Sequence, residues 1–257
     1  AMELGFLDDA GHYAYNDKID AALWIGGPGN SGIMALGRVL TGEVTPSGRL
    51  PDTYARDFTK DPSFVNFGNN NVNERKGKYT ISGDQYMKTA SQPYPYYFVD
   101  YEEGIYVGYR YWETRGYTEG AEAYTGEIKG STTKDWYSAH VVYPFGYGLS
   151  YTTFEWSVTN RENIEKCDLK DGKFTIEVEV TNTGDYAGKD VVEIYAVTPY
   201  YEYGIEKAHK VLCGFAKTPI LYPSSQSEKG PSSCTIEIEI DPYDIASYDY
   251  SDANANG

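Results

Sequence analysis

Apolar and polar residues alternate strictly after residue 150, and far less regularly before it. Phe154–Asn160 reads FEWSVTN and Lys173–Thr181 reads KFTIEVEVT, the period-2 pattern of strands with one buried face. Asn182-Thr183-Gly184 turns the chain toward Asp190–Val197 (DVVEIYAV), and Lys210–Phe215 (KVLCGF) and Cys234–Ile240 (CTIEIEI) follow. Short strands at this spacing predict an all-β sandwich of fibronectin type III character over 150–257. The tail, DPYDIASYDYSDANANG, offers no clear final strand, so a C-terminal truncation that exposes a sheet edge is expected.

The first 149 residues carry mixed signals. Ala21–Ile25 (AALWI) is a short apolar run, expected as a buried strand, and Gly26-Gly27-Pro28-Gly29 ends it. Ile33, Met34, Leu36, Val39 and Leu40 then recur at helical spacing. They predict a helix over 32–41, capped by Asn30 or Ser31 and stopped by Gly42. Pro46-Ser47-Gly48 makes a turn and Arg49–Tyr54 an extended piece, completing a β–α–β order typical of α/β domains. Residues 55–98, with FGNNNVNERKGK, lack sustained periodicity and read as a long excursion. Tyr101–Trp112 (YEEGIYVGYRYW) alternates and predicts a strand, and 113–140 read as a Gly-, Thr- and acid-rich loop.

Composition narrows the partners. The chain has 257 residues, 27 of them tyrosine, and a formal net charge of −16. Tyrosine pairs an apolar ring with a polar tip and suits wide, partly wet contact surfaces. The negative charge argues against nucleic acid, whose binding requires basic neutralisation, and against an anionic membrane surface. A neutral ligand is compatible. Cys167, Cys213 and Cys234 are widely spaced and form no CxxC, so neither a zinc site nor a disulfide framework is indicated. Reduced thiols suit a cytoplasmic protein. No apolar run reaches the length of a membrane span, and AMELGFLDDAG is not a signal peptide.

Two glycine motifs read as turns. Gly27–Gly32 satisfies G-x-G-x-x-G, and Asp52 stands where a ribose-binding acid could lie. Pro28 removes an amide donor from that turn, however, and no second βαβ half follows. Asp252–Gly257 matches the first half of a calcium loop, D-x-N-x-N-G, without the closing glutamate. His12, His140 and His209 are isolated and no G-x-S-x-G occurs, so no metal ligand, cofactor or nucleophile–base pair is expected. Glu102 and Glu103 are the most suggestive acids. On a strand they point to opposite faces, so at most one addresses a cleft.

Tyr143–Phe154, YPFGYGLSYTTF, has no secondary-structure periodicity and the specificity of a family signature. With Ala21–Thr53, above all Gly42–Pro51 (GEVTPSGRLP), with Asp100–Tyr111 (DYEEGIYVGYRY) and with Phe174–Ala196, it resembles glycoside hydrolase family 3, the β-glucosidase and β-xylosidase family. Asp61–Gly68 (DPSFVNFG) and the tail resemble a bacterial subgroup whose catalytic barrel follows the sandwich. The resemblance implies that 1–149 are the C-terminal part of an incomplete α/β sandwich domain and 150–257 a fibronectin type III-like domain.

Family members are retaining β-glycosidases with an aspartate nucleophile on a (β/α)8 barrel and an acid/base glutamate in an E-G-x-D-R-like stretch. This chain has neither; Glu103-Gly104 continues with Ile105-Tyr106. The resemblance therefore implies a portion that is inactive alone, with no catalytic residue, and that works beside a barrel domain of the same parent chain. In the full enzyme the substrate is a β-glucoside or oligosaccharide. Tyr106, Tyr109, Trp112 and Trp136, with Glu103, are the candidate sugar-binding residues. A free-standing carbohydrate-binding or adhesion module, or a protein-interaction scaffold, stays open beside this reading.

Overall fold

The computed structural model describes residues 19–65, 67–69, 97–99, 101, 103–120, 136–201 and 203–249. Among them the elements run α1 (Ile33–Leu40), β1 (Tyr54–Ala55), α2 (Pro62–Val65), β2 (Phe67–Asn69), β3 (Tyr97–Val99), α3 (Tyr109–Gly120), α4 (Trp136–His140), β4 (Val141–Tyr143), β5 (Phe154–Val158), α5 (Arg161–Glu165), β6 (Phe174–Asn182), β7 (Val191–Val197), β8 (Lys210–Lys217) and β9 (Ser233–Ile240). The chain divides into two compact units. One joins Ala1–Asp20 to Asp52–Phe145, and the other joins Ala21–Pro51 to Gly146–Gly257.

The second unit holds the larger core. Antiparallel β5, β6 and β9 form one sheet, and β7 pairs antiparallel with β8 in another. The alternation read from the sequence is the alternation of burial. Facing pairs Ile176↔Ile238, Val178↔Ile236 and Val180↔Cys234 point inward, while Glu177↔Glu237 and Glu179↔Thr235 point outward. Val178, Val180, Ile236, Ile238 and Ile240 pack with Val192 of β7 and with Leu221, and Cys213 and Ala216 of β8 lie against them. Burying these side chains is the main favourable term for this unit.

Cys213, Cys234 and Cys167 are free thiols. Burial lifts the thiols of Cys213 and Cys234 above their ordinary range, and Cys213 Sγ donates to the carbonyl of Ile194 at 3.3 Å. Alkylation requires the thiolate. At pH 8 iodoacetamide is therefore expected to modify both several-fold more slowly than free cysteine, the difference vanishing in urea. Native rates equal to free cysteine in mass-spectrometric quenching would contradict this burial.

The first unit is built on small pieces. β1 pairs antiparallel with β4 and β2 with β3, and α3 packs on α4, which leads into β4. Ala55, Trp112, Tyr137 and Val141 form its buried cluster, with Tyr111 and Trp136 against it.

Several expected elements are corrected. Ala21–Ile25 is not a strand: all five residues are exposed. A buried strand needs hydrogen-bonded neighbours, and none of the described residues forms a ladder with it. α1 lies where periodicity put it, but Gly32 occupies the cap position and neither Asn30 nor Ser31 caps it. Tyr101–Trp112 is not a strand either. Gly104 (φ +57°) and Gly108 (φ +63°) hold left-handed backbone, which breaks extended pairing, and α3 starts at Tyr109. Glu103 thus sits in a turn and not on a strand, and Glu102 lies outside the described residues. The supposed loop 113–140 contains most of α3 and all of α4. The calcium-loop-like tail, 252–257, and His12 lie outside the described residues.

Candidate functional site

The sugar-binding candidates belong to the first unit, around α3 and α4. Glu103 is half-buried in a turn whose carbonyl accepts the Tyr106 N–H at 3.0 Å. Tyr109 opens α3 and stacks on Phe145, centroids 4.5 Å apart and planes at 27°. Trp112 is 1% exposed. It meets Tyr111 edge-on at 5.1 Å and lies 6.0 Å from Trp136. Trp136 in turn stacks on His140 at 4.2 Å, with the Arg115 guanidinium 5.4 Å from its ring centre.

The structure thus brings Trp112 and Trp136 together as neighbours in an aromatic web. Trp112 is framework rather than platform, because its ring has no open face for a pyranose. Tyr106 and Trp136 remain half-buried and Tyr109 half-covered.

A polar pair holds the web from inside. Tyr137 Oη donates to Glu113 Oε1 at 2.6 Å, with both residues buried. A carboxylate in such a place is retained when hydrogen-bonded. Nothing in the sequence marked Glu113 or Tyr137, because they lie on different helices, 24 positions apart. Arg56 adds a clamp: its N–H donates to the His140 carbonyl at 2.8 Å and its Nε to the Ser138 carbonyl at 3.0 Å.

In the second unit, three stretches carrying the family resemblance meet one another. The Leu50 N–H donates to Tyr147 O and the Gly146 N–H to Leu50 O, both at 2.8 Å, so GRLP and FGYG run as a two-rung ladder. Arg49 donates to the Gly148 carbonyl and pairs with Asp190. Asp190 Oδ2 accepts Trp156 Nε1 at 2.8 Å, Oδ1 accepts the Val191 N–H at 2.9 Å, and its own N–H reaches Thr218 Oγ1 at 2.9 Å. Gly148 is required by closeness, since a Cβ there would lie 2.3 Å from the Gly48 carbonyl. Thr152 of the signature donates to Asn182 Oδ1 at 2.7 Å, and Asn182 Nδ2 donates to Leu221 O at 2.8 Å. YPFGYGLSYTTF is aperiodic because its groups are spent on docking.

Three groups in and around these units are shifted by their surroundings. Desolvation among neighbouring groups lifts the Asp52 carboxyl, although its surface is exposed and it accepts the Thr53 N–H at 2.8 Å. Burial likewise raises the Tyr54 hydroxyl, with Asp52 adding to the effect. His209 is pushed down by burial and by Lys210. Among the described residues no three His, Cys, Asp or Glu side chains are grouped to hold a metal ion. No described helix is long and apolar enough to cross a membrane. At Gly27–Gly32 a turn leads into α1 without a preceding strand, so the context of a dinucleotide fingerprint is missing there.

Comparison with known proteins places these features in one lineage. Residues 9–109 match the family model described as the glycosyl hydrolase family 3 C-terminal domain. The chain is 34% identical over 255 residues to a β-glucosidase of Ruminococcus albus, covering 99% of this chain and 20% of that protein. It is 33% identical to β-glucosidase A of Butyrivibrio fibrisolvens, covering 96% of this chain and 25% of that protein. Among solved structures, a β-glucosidase from Paenibacillus barengoltzii matches with a TM-score of 0.56 and 30% identity, over 87% of this chain and 18% of the other. β-glucosidase 3B from Thermotoga neapolitana matches with a TM-score of 0.53 and 31% identity, over 83% and 22%. The chain spans about a fifth to a quarter of the length of the curated relatives it matches. It belongs to glycoside hydrolase family 3, as a C-terminal region of the β-glucosidase-like kind.

Proposed function

We propose that this chain is part of a retaining β-glycosidase of β-glucosidase type, in which it supplies a wall of the substrate cleft and the support behind it. The observation that carries the reading is the alignment of 99% of this chain with 20% of a β-glucosidase. Retention of configuration needs two carboxyl groups about 5–5.5 Å apart. We assign neither to this chain. The nucleophile belongs on a (β/α)8 barrel in the same parent chain, and the acid/base glutamate in the part of the α/β sandwich domain preceding this stretch.

We read 1–149 as the end of that domain and 150–257 as a fibronectin type III-like domain; the two antiparallel sheets around one core support the latter. Tyr106, Tyr109, Trp136 and Glu103 are the residues assigned to a β-glucoside or oligosaccharide, with Trp112 as their framework. No cofactor is assigned. The free thiols support a cytoplasmic parent.

Hydrolysis of a nitrophenyl β-glucoside is expected from the parent protein and not from the 257-residue chain. In the parent, Trp136→Ala and Tyr106→Ala are expected to raise KM more than they lower kcat. Turnover by the isolated chain well above the buffer rate would overturn the division of labour. A parent inactive on β-glucosides would overturn the activity itself.

A further inference from the structure

In the second unit, residues 45–49 run beside the start of β7 and the end of β8, and three cations meet there. A Cβ on Gly188 would lie 3.1 Å from Thr45 Cγ2, Lys217 Nζ donates to the Ser47 carbonyl at 3.0 Å, and Arg49 pairs with Asp190. The Thr218 N–H donates to the Asp190 carbonyl at 2.9 Å, and Val191 stands opposite Lys217. Asp190 and Thr218 are buried, so Lys189 and Lys217 project from the other face of the pair as diagonal neighbours. Desolvation of Lys217, and next the charges of Lys189 and Arg49, hold its ammonium below the usual range. Like charges on neighbouring strands destabilise the pair unless a counter-charge joins them. Asp190 is the carboxylate acting against them, and its oxygens already accept from Arg49, the Trp156 indole and the Val191 N–H. Glu193, the next acid along β7, lies against Gly146 and accepts from Tyr195 Oη at 2.7 Å. Lys189 is half-buried with no hydrogen bond or ion pair among the described residues. Lys217 spends one of its three N–H groups on Ser47.

We propose that Lys189 and Lys217, beside Arg49, form a binding site for a tetrahedral oxyanion of the phosphate or sulfate class. Local chemistry selects this occupant. Three cations meet one carboxylate, so the cluster lacks two negative charges, which sulfate or a phosphate dianion supplies and a single carboxylate does not. An ammonium is a compact charge with rotatable donors, and two of them can each reach a different oxygen of a tetrahedral ion. The β7–β8 register and the Ser47 contact hold the donors in place beforehand, so binding orders little that is not already ordered. None of the sugar-binding candidates belongs to this cluster, so the site stands whether or not the parent protein hydrolyses β-glucosides.

Equilibrium dialysis of the 257-residue chain against labelled inorganic phosphate, in low-salt chloride buffer, tests the site directly. The wild type is expected to bind phosphate, and Lys189→Gln and Lys217→Gln to bind at least about tenfold more weakly, since each removes a charge-assisted hydrogen bond. Lys189→Arg keeps the charge and should retain most of the binding. Lys229→Gln, at an exposed lysine elsewhere in the unit, should change nothing. Sulfate should displace the label, and acetate should not. Urea midpoints of alkylation at Cys213, a thiol packed against the core of the same unit, give a second reading. Without an oxyanion, Lys189→Gln should unfold at the same or a higher urea concentration than wild type, because repulsion is relieved. Phosphate at matched ionic strength should raise the wild-type midpoint and leave that of Lys189→Gln where it was. The proposal is overturned if the wild type binds no phosphate, if Lys189→Gln binds it as tightly, or if acetate displaces it as well as sulfate does. It is also overturned if phosphate shifts both midpoints alike, which is a salt effect and not a site.

Discussion

Replacing Asp190 with alanine is expected to lower the unfolding free energy of the second unit by about 3–5 kcal/mol, the usual loss when one partner of a buried ion pair is removed. Its side chain is 6% exposed and carries three interactions at once: Arg49, the Trp156 indole N–H and the Val191 N–H. Truncation strips acceptors from a cation that is itself only 25% exposed and from two further donors. Because Arg49 keeps some contact with water, the lower end of the range is expected. Asp190→Asn retains an acceptor for a neutral donor while losing the charge, and should fall between alanine and wild type.

The comparison variant is Glu43→Ala. Its pair with Arg38 is 60% and 58% exposed at the two side chains, and exposed pairs contribute about 0–1 kcal/mol. Pulse alkylation of Cys213 across a urea gradient reads this unit alone, since that thiol lies against its core. A midpoint shift for Asp190→Ala no larger than that for Glu43→Ala would refute the assigned role.

The parts of this fold that were legible in the sequence are those decided by neighbours in sequence. In β6 and β9 the sheet imposes a period of two, and Ile176, Val178 and Val180 alternate with Glu177 and Glu179 accordingly. α1 is likewise announced by its own apolar stripe. α3 was hidden because its start is rich in tyrosine and tryptophan, which favour strands. Tertiary packing of Trp112 and two left-handed glycines outweigh that preference. The docking of Arg49 on Asp190 spans 141 positions, and no local pattern encodes a contact at such separation. What the sequence did carry was its consequence, two aperiodic motifs whose glycines, arginine and threonines make sense once they touch. The candidate site was legible in part for the same reason. Aromatic content singled out the stretch around α3 and α4, but which of its rings is buried and which is open depends on packing that spacing does not encode.

Trp112→Ala draws that line, and it is expected to cost the first unit about 3–5 kcal/mol, the range for a large aromatic removed from a core. The indole is 1% exposed and fills the space between Ala55, Tyr137 and Val141, so its loss leaves a cavity instead of a surface. The damage should spread to the Tyr137–Glu113 bond, which lies in the same buried cluster. Trp112→Phe keeps most of the apolar volume and should lose less than half as much. Trp136→Ala, at a half-buried ring stacked on His140, should cost less than Trp112→Ala and act on the substrate of the parent enzyme instead. Thermal unfolding followed by near-ultraviolet circular dichroism supplies the stability ranking, and KM against kcat in the parent supplies the functional one. If Trp112→Ala melted like wild type yet raised KM as Trp136→Ala does, the frame and the wall would have to be exchanged.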